Sequence, residues 1–290
     1  MSFKLFCGCS ALALTALGGT TAVAADGGMI APGMIAGYIE AHGGWERGSS
    51  TDYNPTPNGT GTWSDYQVGG SGRAAVAIVP NWSAQGDVWT GVAIAPDGST
   101  GVDSAIGGHL TWHSADGATM LGALGSLGVG GSDSGSVGNV GLEAAVNAGR
   151  WRLYAQTGMT SGLSGDASSS GERDIYGTLS VNYFVTPNFF LSGNIGTDKW
   201  TQSNGDSSPE MSWGAKAEFK PAASPVSFFA AYEGFGFRSN YGGASNYDQG
   251  VDNIFLVGAR VPLGVKSLQD LQRAVGLADL NPSFGDLLNR

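Results

Sequence analysis

The chain is short of charge. Only 13% of its 290 residues are Asp, Glu, Lys or Arg, about half the share of an ordinary soluble domain. It has two cysteines, Cys7 and Cys9, and none after them. A disulfide framework, a thiol nucleophile and a cysteine metal site are thereby excluded from the rest of the chain. No apolar run approaches 18 residues, so no helix is expected to span a membrane. There is no basic patch, and the formal net charge is −10, which argues against nucleic acid as a partner. No phosphate loop, dinucleotide fingerprint or zinc motif occurs, and no cofactor is implied. The three histidines do not form a metal set. His109 and His113, four apart on a candidate strand, would lie about 13 Å apart. A lone histidine facing a lumen is more often a hydrogen-bonded lining residue.

Glycine is abundant, at 49 residues, but no Gly-X-Y period exists, so the chain is not collagenous. The N-terminus has a compartment pattern. Lys4 precedes an apolar stretch over 5–17, then Ala22, Val23 and Ala24 form a small-residue cleavage site. Residues 1–25 therefore read as a secretory signal peptide. Both cysteines lie inside it. Too little apolar sequence precedes Cys9 for a lipoprotein signal.

Twelve segments of alternating character follow: 34–46, 71–79, 84–95, 104–113, 117–128, 138–149, 150–160, 174–186, 188–199, 209–220, 226–238 and 252–263. Most have the length of a tilted strand crossing a bilayer, about 9–11 residues. Their connections alternate. Long polar ones, such as 47–70, 161–173 and 239–251, interleave with tight ones at 80–83, 114–116, Gly149 and Arg150, Pro187 and 221–225. A soluble sandwich has no reason to keep that alternation. In 209–220, Met211, Trp213, Ala215, Ala217 and Phe219 share one face, opposite Ser212, Gly214, Lys216, Glu218 and Lys220. In 150–160, Trp151, Leu153, Ala155 and Met159 oppose Arg152, Tyr154, Gln156 and Thr160. The segment 174–186 alternates in the same way, Ile175, Leu179, Val181 and Tyr183 against Asp174, Thr178, Ser180 and Asn182. Aromatics occupy the apolar frame near the tight-turn end, at Trp112, Trp151, Tyr183, Phe189, Phe219 and Phe228. Trp45 and Trp213 occupy it near the long-loop end. Two such levels match interfacial girdles; the competing reading is an ordinary β-core.

These features resemble bacterial outer-membrane β-barrels, including porin-like proteins. The expected fold is all-β: an antiparallel transmembrane β-barrel of about 12 strands over 26–263, in the outer membrane of a Gram-negative bacterium. The resemblance implies long loops outside and turns in the periplasm. It also implies lipid, lipopolysaccharide and the barrel assembly machinery as partners. One departure is the end of the chain. Such barrels commonly finish on a terminal aromatic, whereas the last strand here ends near Val261, Pro262 and Leu263, and 264–290 follow. In that tail Val265, Leu268, Leu271 and Val275 have helical spacing. Ser267 with Asp270 suits a capping box, and Asn281 with Pro282 a second helix start. The expectation is a short helical tail, either a solvated periplasmic appendage, a plug in the lumen or a docking helix.

Charge is placed unevenly. The long connections and their rims hold Glu46, Asp52, Asp65, Asp97, Asp103, Asp133, Asp166, Glu172, Asp174, Asp198, Asp206, Glu210, Asp248 and Asp252. They hold four bases, Arg47, Arg173, Lys199 and Arg238, and this difference accounts for the net charge of the whole chain. An acidic rim concentrates cations and repels anions; it equally suits solubility or divalent cations bridging lipopolysaccharide. The lumen frame is expected to hold Glu40, His42, His109, Glu143, Arg152, Gln156, Asn182, Asn194, Lys216, Glu218, Glu233 and Arg260. As pore-lining residues of both signs they would set a transverse field and a constriction; paired tightly, they would close the lumen. Eight strands are filled by side chains and sixteen leave a channel, so twelve does not decide. The expected function is a porin-like channel for passive diffusion of small hydrophilic solutes or ions, leaning to cations, with no enzymatic turnover. The alternative is a closed structural or surface-interaction barrel. Twelve-stranded outer-membrane phospholipases place a histidine shortly before Ser-Asn-Gly; Ser203, Asn204 and Gly205 have none nearby and read as a turn.

Overall fold

The computed structural model describes residues 35–53, 57–130, 135–164, 171, 173–203, 206–240 and 247–274. The expected signal peptide, Asn204 and Gly205, the acids Asp133, Asp166 and Glu172, Val275 and the second helix start at Asn281 and Pro282 lie outside the described residues. Twelve strands follow one another: β1 (Ile35–Tyr53), β2 (Pro57–Val79), β3 (Trp82–Ile94), β4 (Thr100–His113), β5 (Thr119–Gly130), β6 (Gly135–Ala148), β7 (Trp151–Ser164), β8 (Arg173–Thr186), β9 (Phe189–Thr201), β10 (Ser207–Phe219), β11 (Ser227–Asn240) and β12 (Tyr247–Leu263). Each pairs antiparallel with its sequence neighbours, and β1 pairs with β12, so the sheet closes into a barrel. Closure removes the free edges that an open sheet of this length would expose.

The tight turns are chemically explicit. Val79 faces Trp82 across Pro80 and Asn81, and Asn81 takes φ 67°. Proline presets the first central position and Asn tolerates the left-handed second one. Ala148 faces Trp151 across Gly149 and Arg150, with Gly149 at φ 59°. These turns gather at one end of the barrel with Ile35 and Leu263.

The strands differ in length. Nine run 12 to 14 residues, whereas β1, β2 and β12 run 19, 23 and 17. The polar segment 47–70, expected as a loop, is mostly ladder: β1 stays paired with β2 and β12 up to Tyr53. Its run of Ser, Thr and Gly carries no apolar alternation that would mark it as strand.

The barrel is apolar outside and polar inside. Outward Ile175, Val257 and Leu142 are 65%, 65% and 63% exposed. Inward Glu218, Arg152 and Asp174 are 0%, 1% and 1% exposed. A water-soluble barrel would reverse those faces; one bathed in lipid requires them. Aromatics on the outer surface sit where an interfacial belt needs them. At the tight-turn end Trp151 packs on Tyr183 at 4.5 Å and Phe189 on Phe219 at 6.4 Å. Toward the other end Trp45, Phe255 and Tyr232 adjoin, at 6.2 and 5.0 Å. The Trp213 indole donates to the Tyr232 hydroxyl at 3.3 Å.

One helix, α1 (Leu268–Ala274), follows the last strand. Ser267 caps it, its hydroxyl accepting the Asp270 N–H at 3.1 Å. Seven residues are too few for a helix stable alone, and its support is tertiary. Leu268 packs with Phe184 and Phe190, and Leu271 and Ala274 with Ala36, Tyr38 and Ala75. Leu268 and Leu271 are wholly buried. The apolar stripe of α1 thus lies against inward residues at the tight-turn end of the barrel.

Candidate functional site: the lumen

Every residue expected in the lumen frame lies on the inward face. Glu40 and His42 are on β1, His109 on β4, Glu143 on β6, Arg152 and Gln156 on β7, Asn182 on β8, and Asn194 on β9. Lys216 and Glu218 are on β10, Glu233 on β11 and Arg260 on β12. Their side chains alternate with outward apolar ones, and several reach partners on strands that are not neighbours in the sheet.

Two ionic networks fill the half nearer the tight turns. In the first, Arg260 donates from Nε to Glu40 at 2.9 Å, from Nη2 to the same carboxylate, and from Nη1 to Glu218 at 3.0 Å. Lys216 lies 3.6 Å from Glu218, and Ser227 donates to Glu218 at 2.7 Å. His42 Nδ1 lies 3.3 Å from Glu40. In the second, Asp87 accepts from Arg73 at 2.6 Å and meets His109 Nε2 at 2.6 Å. His109 Nδ1 meets Glu143 at 3.2 Å. Tyr154 donates to Glu143 at 2.8 Å and Gln85 to Asp87 at 3.1 Å. With a carboxylate at each ring nitrogen, the His109 site accommodates the doubly protonated ring. Tyr38 joins the two networks, its ring centroid 4.0 Å from the Arg260 guanidinium and 5.5 Å from that of Arg73. Such charges tolerate burial only because they are paired and hydrogen-bonded. Sequence reasoning missed Arg73, Asp87 and Tyr38. The inward parity of β1, β2 and β3 is their only signal, since register between strands is not written in either strand alone.

Of the remaining residues, Arg152 and Gln156 have partners of their own on the wall, and Asn182 meets α1. Arg152, fully buried, reaches Asn147 at 3.4 Å and the Met120 sulfur at 4.0 Å. Gln156 donates to Tyr176 at 3.5 Å, and Tyr176 to Asn139 at 3.1 Å. Asn182 donates to Gln272 of α1 at 3.1 Å. Both Gln269 and Arg273 donate to the Gly149 carbonyl, at 3.1 and 2.6 Å. The Leu268 and Gln269 N–H groups reach Asn188 and Pro187 at 3.3 and 2.9 Å. His113 shares Nε2 between the hydroxyls of Ser83 at 2.9 Å and Thr111 at 3.2 Å. No group of three potential metal ligands occurs among the described residues.

The other half of the lumen has a different charge pattern. Glu46, Asp65, Asp103, Asp174, Asp198, Glu210 and Asp252 sit on the inward frame of their strands. These acids of the strand rims line the inner wall. Arg47, Arg173, Lys199 and Arg238 all occupy the outward frame and are exposed. Glu46 and Asp65 face one another in the ladder, and Gln67 donates to Glu46. Farther out Asp52 and Asp248 face one another. Burial, then the facing Asp52, raises the Asp248 carboxyl above its usual range.

No family model and no curated protein matches the chain. Solved structures do. The outer membrane channel from Pseudomonas putida shares 12% identity at a TM-score of 0.53, covering 81% of this chain and 98% of that one. The translocator domain of autotransporter NalP from Neisseria meningitidis shares 13%, at a TM-score of 0.49, over 78% and 88%. A FadL homologue of Pseudomonas aeruginosa shares 9%, at 0.39, over 78% and 90%. At such identities the first likeness speaks for the fold. Closed twelve-strand topology, an apolar outer wall and a polar interior give this chain the fold of a bacterial outer-membrane β-barrel.

Proposed function

We propose that the barrel is a passive channel for small hydrophilic solutes or ions, leaning to cations, with α1 as a plug at its periplasmic mouth. The observation that carries this reading is the segregation of charge at the outer end: acids inward, bases outward. Inward carboxylates raise cation concentration at the entrance. The outward Arg and Lys side chains are placed for phosphates of surrounding lipopolysaccharide. Glu233 and Lys216 would line the path, and the Glu40, Glu218 and Arg260 cluster its constriction.

A second reading has its own observation. The two buried networks and the seated helix leave the inner half filled with side chains, as a closed structural barrel would be. Recording in planar bilayers separates the two. A channel gives stable conductance steps with a reversal potential favouring potassium over chloride, and deleting 264–290 enlarges the steps. Silence from correctly folded protein, with and without the tail, favours the closed barrel and ends the channel reading.

A further inference from the structure

The ladder between β2 and β3 ends at Tyr66 and Ile94. Beyond it β3 stops, because residues 95–98 turn back. The Gly98 N–H bonds the Ala95 carbonyl at 2.9 Å, the Ala95 N–H bonds Ser99 at 3.0 Å, and Gly98 takes φ 85°. β2 continues outward from Tyr66 to Pro57, paired with β1 alone. Among the described residues, nothing hydrogen-bonds the other edge of 60–65. Among the described residues the closed barrel thus carries an open edge at 60–65, beyond the level of Trp45 and Tyr66. Every second residue there presents an unmatched N–H and C=O, the template for another strand. A cleft of about 570 Å³ borders this edge, walled by Trp45, Arg47, Thr62, Ser64, Asp65 and the turn at Pro96 and Asp97.

We propose that this edge is a strand-addition site for an extended polypeptide carrying lysine or arginine at alternate positions. Main-chain bonds to 60–65 would supply affinity, and the side chains on either face specificity. Charge selects the occupant. Asp65 and Asp97 both line the cleft, against a single base, Arg47. Ser99 donates to Asp97 from its hydroxyl at 2.7 Å and its N–H at 2.8 Å, which holds that carboxyl ionised below its usual range. A second copy in the same membrane does not fit. Strands tilt roughly 35–45° in such barrels, so two like edges related by an axis along the membrane normal would cross at about 70–90° and could not pair.

The test uses the full folded protein in lipid nanodiscs and a synthetic octapeptide alternating threonine with lysine. Binding is expected to slow amide exchange at alternate residues within 60–65. N-methylating alternate peptide nitrogens is expected to weaken binding about tenfold, as lost main-chain bonds require. Asp65→Asn with Asp97→Asn should weaken the lysine peptide and leave a threonine–serine peptide unaffected. Equal binding of the N-methylated peptide would reduce the site to charge attraction and overturn the proposal. Unchanged exchange within 60–65 would overturn it too. Protection by oligosaccharide released from lipopolysaccharide, with none by peptide, would make the cleft a saccharide site instead.

Discussion

The two halves of the lumen handle charge in opposite ways. In the inner half each acid has a base within reach: Glu40 and Glu218 share Arg260, and Asp87 has Arg73 and His109. In the outer half acids gather inward while every described base there points outward. The inner half is built as a structural joint, where pairing offsets the cost of burial. In the outer half Glu46, Asp65 and Asp252 stay partly exposed, so gathering these carboxylates costs less, and on the proposed channel reading their field acts on entering ions. Removing a charge should therefore have opposite consequences in the two places.

The largest effect is expected from Arg260→Ala. It leaves Glu40 and Glu218 facing one another without their shared cation, and loses about 3–5 kcal/mol of stability. Urea unfolding in lipid vesicles, followed by tryptophan fluorescence, measures this. Asp252→Asn in the outer half should leave the midpoint nearly unchanged. Equal losses from the two variants would break the distinction between the halves.

Leu271→Asp comes next. It places a carboxylate in the socket of Ala36, Tyr38 and Ala75, at a cost of several kcal/mol if the helix stays seated. The helix is expected to leave instead, so the tail becomes protease-sensitive while the barrel stays folded. A tail as protected as before would show that α1 is a structural part of the wall and not a removable plug.

The acidic vestibule yields a smaller change. Glu46→Gln with Asp252→Asn should move the potassium-to-chloride permeability ratio toward unity. The shift should shrink in 1 M salt, where screening falls to about 3 Å. An unchanged ratio at low salt would detach selectivity from the outer acids.

What was legible in the sequence follows the same division. Strand number and the inward or outward sense of each residue come from alternation, and lipid enforces alternation strictly. That is why Met211, Trp213, Arg152 and Glu218 could be assigned from pattern alone. Over 47–65, beyond the level of Trp45 and Tyr66, lipid no longer enforces alternation, and there the pattern vanished although the ladder continued. The charge networks were half visible. Arg260 and Glu218 could each be placed inside, but their meeting depends on strand register and barrel shear, which no single strand encodes. Helix α1 was visible in the spacing of Leu268 and Leu271. Its seat was not, because Phe184 and Phe190 come from the β8–β9 hairpin and Ala36 from β1, which is not their neighbour in the sheet.

The smallest expected effect lies at the outermost tip, where Asp52 faces Asp248. This pair is seven residues beyond Trp45 and Phe255 along their strands, outside the lipid-facing belt. The Asp248 carboxyl is raised by partial burial first and by Asp52 second. A group with a folded pKa above its unfolded value stabilises the folded form at low pH, where it is protonated. That contribution is lost as pH rises from the ordinary aspartate value, about 4, through the raised one. Asp97 and Asp116 have the opposite sign. Hydroxyl and backbone bonds hold both carboxyls low, so their contribution is lost as pH falls. Asp52→Asn should therefore tighten the tip at pH 7 by less than about 0.5 kcal/mol, since water screens so exposed a pair. At pH 3, where the raised Asp248 carboxyl is protonated and no longer repels its neighbour, it should do nothing. Slower amide exchange around residue 248 at pH 7 alone would support this. The same change at both pH values would mean that the substitution alters packing and not charge.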